Sequence, residues 1–386
     1  MTQPAHEGAA MVTPLLPPLH LSRRDMAARP GQVPSLDGLR AVSIALVLLA
    51  HLVNARWFPG GFGVLTFFVI SGFLITRLLF AEHKAHDTIA LVSFYMRRII
   101  RLYPAVLAYT IIVTLVFAFW APRLADWPEP ISALLYFANY LFAYDNVHHV
   151  TVTMPFTHFW SLSIEEQFYI FFPALLLLLR ARPASVAALA VMACAVPLAL
   201  RLIGAIQHPE LLDTEYFYLR TEMRIDSIAF GVLVAALCEM PRGRALLLWL
   251  IRPLPMAVAM LALIGCFAWR EPLFRETFRY TILASVIAIG MSAVVFSGRY
   301  APVNYLLNAG PVVWIGRLSY SLYVWHLATG LAVKHWLAGA PQLPVAALAL
   351  AACVAMAALS YYGLEQPLIG LRRRLGSRRA ERPALS

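Results

Sequence analysis

A guanidinium and an imidazole lie within the first apolar segment of the chain, on one face of the helix that this segment predicts. Arg40 lies near the start of the segment 36–54, and His51 follows eleven residues later. At about 3.6 residues per turn this spacing is almost three whole turns, and at about 1.5 Å per residue it spans roughly 16 Å. Ionisable groups at membrane depth are costly and are kept mainly where they line a cavity and take part in function. The guanidinium suits an anionic ligand, and the imidazole suits proton transfer or nucleophilic attack.

A second pair of guanidinium groups lies further along the chain. Arg98 and Arg101 are three residues apart in the run 94–104, so they share a helical face. Two such groups at a membrane entrance favour a phosphate-bearing ligand. Clustered arginines also set membrane topology, and the spacing alone leaves both interpretations open.

Two adjacent carboxylates, Glu165 and Glu166, precede an aromatic and apolar stretch. Ser163 and Glu166 fit a capping box at a helix N-terminus, and that structural role is sufficient for Glu166. It does not explain Glu165, so we expect one of the two carboxylates to contact an acceptor or to orient a catalytic base. The two interpretations remain open.

Two further polar residues have a structural and a functional interpretation. Asp37 lies three residues before Arg40, where it can orient that arginine or simply favour the helix N-terminus. Ser71 and Gly72 in the second apolar segment permit close helix packing, with ligand contact by Ser71 as the alternative.

The remaining polar residues in apolar surroundings rank lower. Charged residues at the start of the segment 224–240 are expected to pair with each other: Arg220, Glu222, Arg224 and Asp226. Arg317, His326 and Glu365 are candidates for buried polar groups. The histidines at 148, 149 and 158 lack a further ligand at a supportive spacing, so no metal site is predicted. The four cysteines lie far apart in apolar runs, which predicts small core residues.

The composition is that of an integral membrane protein. Of 386 residues, 61% are hydrophobic and 13% are charged, whereas soluble domains average about a quarter charged. The predicted fold is therefore all-α, a polytopic membrane helix bundle. The net charge of +11 is explained by arginines that set topology and contact anionic lipid, so no nucleic-acid partner is expected.

Eleven apolar segments can be delimited, but only ten are expected to cross the membrane. The segments are 36–54, 61–80, 102–120, 130–145, 162–180, 184–203, 224–240, 253–269, 280–297, 311–332 and 343–365. Segment 130–145 is the shortest and carries several polar residues, so we interpret it as re-entrant or interfacial. Ten spans then place both termini and the arginine-rich loops in the cytoplasm. The expected domains are a disordered arm over 1–35, a membrane domain over 36–366 and a basic tail over 367–386.

Taken together, these segments resemble acyltransferase family 3, a family of integral membrane acyltransferases. The matching pieces occur in family order: Leu36–Arg40 with His51, Phe67–Phe73, Phe94–Pro104, Phe159–Tyr169, Gly316–Tyr323 and Glu365–Pro367. The resemblance covers about residues 33–370. It implies transfer of an acyl group, commonly acetyl from acetyl-CoA, to a hydroxyl of a carbohydrate or related acceptor.

The resemblance also implies roles for individual residues. A family motif of arginine, ten residues and histidine corresponds to Arg40 and His51, and a family arginine pair corresponds to Arg98 and Arg101. Some family members carry an additional extracytoplasmic hydrolase-like domain after the last helix. Since 21 residues follow Glu365 here, a second step outside the membrane is expected from another protein or not at all.

The resulting hypothesis divides the polar residues into three groups. Acyl-CoA binding is assigned to Arg40, Arg98, Arg101 and Tyr103, catalysis to His51, Glu165 and Asp37, and acceptor contact or support to Ser71, Glu166 and Tyr169. Acyl-CoA is then a co-substrate, and no bound cofactor is expected. His51 either takes a proton from the acceptor hydroxyl or carries the acyl group itself.

The expected location is the bacterial inner membrane, with membrane lipid and glycan-assembly proteins as further partners. The alternatives are a transporter for an anionic or glycan solute, in which Arg40 and His51 line the path, and a non-catalytic scaffold of a glycan-assembly complex.

Overall fold

The computed structural model describes residues 33, 35–53 and 59–370, and this part of the chain contains helices and no strand. The expected arm (residues 1–32 and 34) and the tail from residue 371 onward lie outside the described residues. The helices are α1 (Leu36–Leu52), α2 (Gly60–His86), α3 (Leu91–Trp120), α4 (Pro128–Leu134), α5 (Ala138–Val147), α6 (Phe159–Leu178), α7 (Pro183–Gln207), α8 (Tyr216–Leu219), α9 (Thr221–Cys238), α10 (Pro241–Leu250), α11 (Pro253–Ala268), α12 (Pro272–Glu276), α13 (Phe278–Phe296), α14 (Ala301–Leu307), α15 (Gly310–Trp336) and α16 (Gln342–Ser360). A π-helix, Tyr361–Glu365, continues α16.

The all-α membrane architecture is confirmed, whereas the number of ten spans stays a prediction. Among the described residues, six helices are long and apolar enough to cross a membrane: α2, α3, α6, α7, α13 and α16 with its continuation to Gly370. A seventh results if α10 and α11, bent by 66° at their junction, cross as one broken span. Helices α1, α9 and α15 coincide with predicted spans but are shorter or more polar.

The segment 130–145 does not form one long helix. It is divided between α4, with 7 residues, and α5, with 10 residues, which extend about 10 Å and 15 Å. Neither helix matches a hydrocarbon core of about 30 Å. Tyr136 interrupts the segment because its backbone adopts a left-handed conformation, with φ of 54°. A re-entrant or interfacial element remains the best interpretation of this segment.

Helix α1 is packed between α2 and α15, and glycines permit the close approach. A Cβ atom at Gly63 of α2 would overlap the backbone of Ser43, and one at Gly316 of α15 would overlap the backbone of Asp37. Helix α2 contacts α9 in the same manner, since a Cβ atom at Gly72 would overlap the carbonyl of Ile228. The packing role predicted for Gly72 is therefore confirmed, and α1 is held from both sides along its length.

The bundle interior is apolar, and so is much of its surface. All four cysteines are buried and free, as predicted for core residues. Large apolar side chains are also exposed on the outside of the bundle, among them Phe119, Phe171, Leu178 and Leu254. An exposed apolar belt of this kind is expected for a protein whose surroundings are lipid.

Candidate active site

A cavity of about 510 Å³ lies between α1, α2, α3, α6, α15 and the π-helix. Its charged lining comprises five arginines and four carboxylates: Arg40, Arg97, Arg98, Arg101, Arg317, Asp37, Glu165, Glu166 and Glu365. Ser71 and Tyr169 line it as well. Its volume falls within the range typical of small-molecule sites, about 300–1,000 Å³. Three separate polar clusters of the sequence thus meet in one cavity.

Asp37 and Arg40 form an ion pair at the start of α1. The Arg40 guanidinium donates to the Asp37 carboxylate at 3.2 Å, one helical turn away. Arg317 of α15 approaches the other oxygen of the same carboxylate at 3.9 Å. The contact expected between Asp37 and Arg40 is therefore present, and Asp37 also lies in the first turn of α1, so both interpretations of this carboxylate agree with the structure.

Arg98 and Arg101 project from α3 into the same cavity. The Arg98 guanidinium lies 3.6 Å from the centre of the Tyr169 ring, a cation–π contact between α3 and α6. Among the described residues neither arginine has a carboxylate within 4.0 Å. Arg101 is exposed to solvent, and Arg98 is half-buried. Within the described part of the chain, both guanidinium groups thus lack an ion-pair partner, and binding of an anionic ligand by them stays a prediction.

Helix α6 contributes the two carboxylates, but not from its N-terminus. The helix begins at Phe159, so Ser163 lies within it and its hydroxyl donates to the Phe159 carbonyl at 2.9 Å. The capping box predicted for Ser163 and Glu166 is therefore wrong. Glu165 and Glu166 both line the cavity instead, and neither needs a capping role to explain its position.

Ser71 joins α2 to the carboxylate side of the cavity. Its hydroxyl forms a short hydrogen bond with the Tyr169 hydroxyl, and that hydroxyl also lies 3.5 Å from a Glu165 carboxylate oxygen. Ser71 therefore lies at the cavity wall, and ligand contact by its hydroxyl stays a prediction.

Glu365 approaches the cavity from the π-helix. It is buried, and one carboxylate oxygen accepts hydrogen bonds from Ser321 at 2.6 Å and from Ser360 at 3.1 Å. π-Helical turns are rare and often occur at functional sites. Glu365 and Arg317 ranked low in the sequence, although both lie within segments that resemble the family.

His51 does not line this cavity and lies near the opposite end of α1, about 16 Å from Arg40 along the helix axis. The residue as a whole is exposed, and its Nδ1 atom lies 3.1 Å from Nε2 of His326 on α15. The Lys334 ammonium group donates to the His51 backbone carbonyl at 2.9 Å. Helix α15 therefore holds both the side chain and the backbone of His51.

A short series of buried polar groups separates the cavity from His51. Ser161 and Tyr323 line the cavity, and their hydroxyls are 2.6 Å apart. The Tyr323 hydroxyl also donates to the His158 carbonyl at 3.0 Å. The Tyr323 ring lies 5.5 Å from the ring of His326, which contacts His51. Few side chains therefore lie between the cavity wall and the imidazole of His51.

Tyr103 and Asp37 do not contact the groups with which the sequence hypothesis combined them. Tyr103 packs against Tyr136, with ring centres 6.4 Å apart, and does not line the cavity with Arg98 and Arg101. Asp37 is 14 residues from His51 on one helix, roughly 21 Å along the axis, so it cannot contact that imidazole. Catalytic roles for Asp37 and Glu165 remain predictions, and both carboxylates belong to the cavity.

A second charged cluster lies at the N-terminal half of α9, away from the cavity. Asp226 pairs with Arg201 of α7 at 2.8 Å, and both side chains are fully buried. Arg220 pairs with Glu222 at 2.5 Å, whereas Arg224 stacks on the ring of Tyr280 at 4.0 Å. Mutual pairing is thus correct for Arg220 and Glu222, while Asp226 and Arg224 take partners from other helices.

The site of this helical membrane protein thus consists of an arginine-rich cavity at one end of α1 and an imidazole at the other end of the same helix. Comparison with known proteins specifies the class. The sequence profile of the acyltransferase domain of acyltransferase family 3 matches residues 33–364, and the chain belongs to this family. Membership favours an enzyme over the transporter considered above.

The similar curated proteins are O-acetyltransferases. O-acetyltransferase OatA of Staphylococcus aureus (strain NCTC 8325 / PS 47) is 31% identical over 354 residues, which cover 88% of this chain and 57% of that protein. Peptidoglycan O-acetyltransferase OatA of Listeria monocytogenes serovar 1/2a (strain ATCC BAA-679 / EGD-e) is 28% identical over 353 residues, covering 87% and 56%. The chain thus spans a little over half the length of these relatives. No solved structure matches it.

Proposed function

We propose that this protein transfers an acetyl group from acetyl-CoA, across the membrane, to a hydroxyl of a cell-envelope carbohydrate. The observation that carries the proposal is the cavity lined by Arg98 and Arg101, which have no carboxylate within 4.0 Å among the described residues, in a chain of an acyltransferase family. The name of the Listeria monocytogenes relative makes peptidoglycan the first acceptor to test.

The donor site is assigned to the arginines of the cavity. Acyl-CoA carries several phosphates, and paired guanidinium forks bind phosphate oxygens through charge-assisted hydrogen bonds. Arg98 and Arg101 lie three residues apart on α3, and Arg40 faces the same cavity from α1. For this assignment, the protein must be oriented in the bacterial inner membrane so that the cavity and both chain termini face the cytoplasm.

The thioester is then directed toward His51. The axial rise of roughly 16 Å from Arg40 to His51 is comparable to the length of an extended pantetheine arm. Ser161 and Tyr323 mark the end of the cavity nearest to His51, so the arm follows α1 from its charged end toward them.

Two routes are chemically balanced at His51. In the first, the imidazole takes the proton of the acceptor hydroxyl, the oxygen attacks the thioester carbon, the carbon–sulfur bond breaks, and the proton passes to the thiolate of CoA. In the second, a ring nitrogen attacks the thioester carbon, the carbon–sulfur bond breaks, and CoA leaves as its thiolate, which takes up a proton from water. The acceptor oxygen then attacks the acyl carbon, the carbon–nitrogen bond breaks, and the hydroxyl proton is released to water. The second route needs no simultaneous presence of donor and acceptor.

The function is tested by label transfer with the purified full chain in detergent. Acetyl-labelled acetyl-CoA is incubated with soluble peptidoglycan fragments, and ester-linked label on the fragments is measured. We expect transfer by the wild type, at least a hundredfold less by His51→Gln, and wild-type transfer by His335→Gln, an exposed histidine on α15. Equal transfer by His51→Gln and the wild type would exclude His51 as the catalytic group.

A further inference from the structure

A second histidine, His326, lies directly behind His51 and has no role in the function proposed above. Its side chain is 0% exposed, in the interior of α15, and it contacts His51 through the 3.1 Å Nε2–Nδ1 distance. The two residues are 275 positions apart in sequence. Because the two imidazoles are in contact, the proton positions on the buried His326 ring determine which nitrogen of His51 carries a hydrogen.

The backbone of α15 determines the proton on His326. Its Nδ1 atom lies 2.6 Å from the carbonyl oxygen of Tyr323. A carbonyl oxygen accepts and cannot donate, so Nδ1 of His326 carries a hydrogen. A fully buried imidazolium would be costly because no carboxylate pairs with it among the described residues, and the ring is therefore neutral. Its Nε2 atom then has a free lone pair and is a hydrogen-bond acceptor.

The neighbouring His158 is fixed in a similar manner. Its Nε2 atom lies 2.9 Å from the carbonyl oxygen of Val324, so this nitrogen is the protonated one. Its ring centre is 5.1 Å from that of His326. Two successive carbonyl groups of α15, at positions 323 and 324, thus set the protonation of both buried histidines.

We infer that His326 is a positioning residue that selects the tautomer of His51, so that Nε2 of His51 is the reactive nitrogen. The inference rests on the proposed function. Because Nε2 of His326 accepts, Nδ1 of His51 must donate, and the lone pair of His51 then lies on Nε2. The Lys334 contact to the His51 carbonyl keeps the end of α1 in register with this pair.

This arrangement serves both catalytic routes. When Nε2 of His51 takes the hydroxyl proton, the imidazolium that forms is stabilised by its Nδ1–H bond to His326. When Nε2 attacks the thioester carbon instead, the carbon–sulfur bond breaks and CoA leaves as its thiolate. The acyl-imidazolium that remains on His51 keeps its Nδ1 proton and is stabilised by the Nδ1–H bond to the neutral His326 ring. When the acceptor oxygen then attacks the acyl carbon, the carbon–nitrogen bond breaks, His51 returns to its neutral Nδ1–H form, and the hydroxyl proton is released to water while the CoA thiolate takes up a proton from water.

The test combines a spectroscopic signature with rescue by a conservative variant. The full chain is labelled with ¹⁵N-histidine in lipid nanodiscs, and the His51 signals are assigned by difference from His51→Gln. We expect a protonated Nδ1 and an unprotonated Nε2 for His51 in the wild type. In His326→Leu we expect loss of this pattern and a fall in label transfer on the order of 10²- to 10⁴-fold.

His326→Gln distinguishes positioning from packing, since its side-chain oxygen can accept from Nδ1 of His51. We expect label transfer by His326→Gln to be at least tenfold higher than by His326→Leu. His335→Gln is the matched control on the same helix. A protonated Nε2 on wild-type His51 would overturn the inference, and this outcome does not depend on whether the His326 variants fold. Full transfer by His326→Leu would overturn it as well, whereas full transfer by His51→Gln would instead remove the proposed role of His51.

Discussion

Substitution of one glycine on α15 should disturb both ends of the site at once. Gly316 faces the first turn of α1, where a Cβ atom would come within 2.6 Å of the Asp37 carbonyl carbon. Ordinary van der Waals contact begins at 3.4 Å, so Gly316→Ala requires the two helices to separate by at least about 0.8 Å, the difference between these distances. Overpacking of this kind costs about 1–3 kcal/mol.

The functional consequence should exceed the loss of stability. Helix α15 also carries His326 and Lys334, which hold His51, and Arg317, which approaches Asp37. A displacement of about 1 Å between catalytic groups can cost on the order of 100-fold in rate. We therefore expect Gly316→Ala to reduce acetyl transfer by about 10- to 100-fold while most of the protein remains folded in detergent at room temperature.

A matched control lies on the same helix. A Cβ atom at Gly310 would meet nothing within 4 Å, so Gly310→Ala should leave both stability and transfer unchanged. Stability is measured by thermal unfolding followed by size-exclusion chromatography, and activity by the label-transfer assay. If Gly316→Ala matched Gly310→Ala in both measurements, the close packing of α1 on α15 would not position the site.

Three further outcomes are expected. Arg98→Ala and Arg101→Ala should each weaken acetyl-CoA binding by about 10- to 100-fold in calorimetry, because charge-assisted hydrogen bonds contribute about 1.5–3 kcal/mol. The control Arg123→Ala, which changes an exposed arginine, should leave the affinity unchanged. Unchanged affinity in Arg98→Ala and Arg101→Ala would refute the donor site. Arg201→Met should destabilise the fold by about 3–5 kcal/mol in chemical unfolding because it leaves Asp226 buried without its partner, and a loss below about 1 kcal/mol would contradict this. Burial raises the pKa of the Glu129 carboxyl in α4, so the contribution of this group to stability should decrease as pH rises through that raised pKa. The melting temperature is measured against pH in the wild type and in Glu129→Gln, and the same pH dependence in both proteins would disprove this.

Much of the cavity could be predicted from the sequence because its signals are local. Arg40, Arg98, Glu165 and Ser71 each stand out as polar residues beside apolar runs, and the structure brings all four to one cavity. Membrane helices leave few places for such groups other than a shared polar interior, so separate local signals converge.

Other features depend on contacts that no local pattern contains. The pairing of His51 with His326 joins residues 275 positions apart, and the histidine on α15 had no partner at a meaningful spacing in the sequence. The capping box at Ser163 was wrong because α6 begins four residues earlier, at Phe159. Tyr103 shares a helix with the arginine pair, yet its ring packs against Tyr136 instead of the cavity.

The central claim is that donor and acceptor are used from opposite sides of the membrane through His51. It is tested most directly in proteoliposomes of one protein orientation, with labelled acetyl-CoA on the side of the arginine cavity and soluble peptidoglycan fragments on the other side. We expect labelled fragments with the wild type and with His335→Gln, and none above background with His51→Gln. Label appearing only when donor and acceptor share one side would contradict transfer across the membrane.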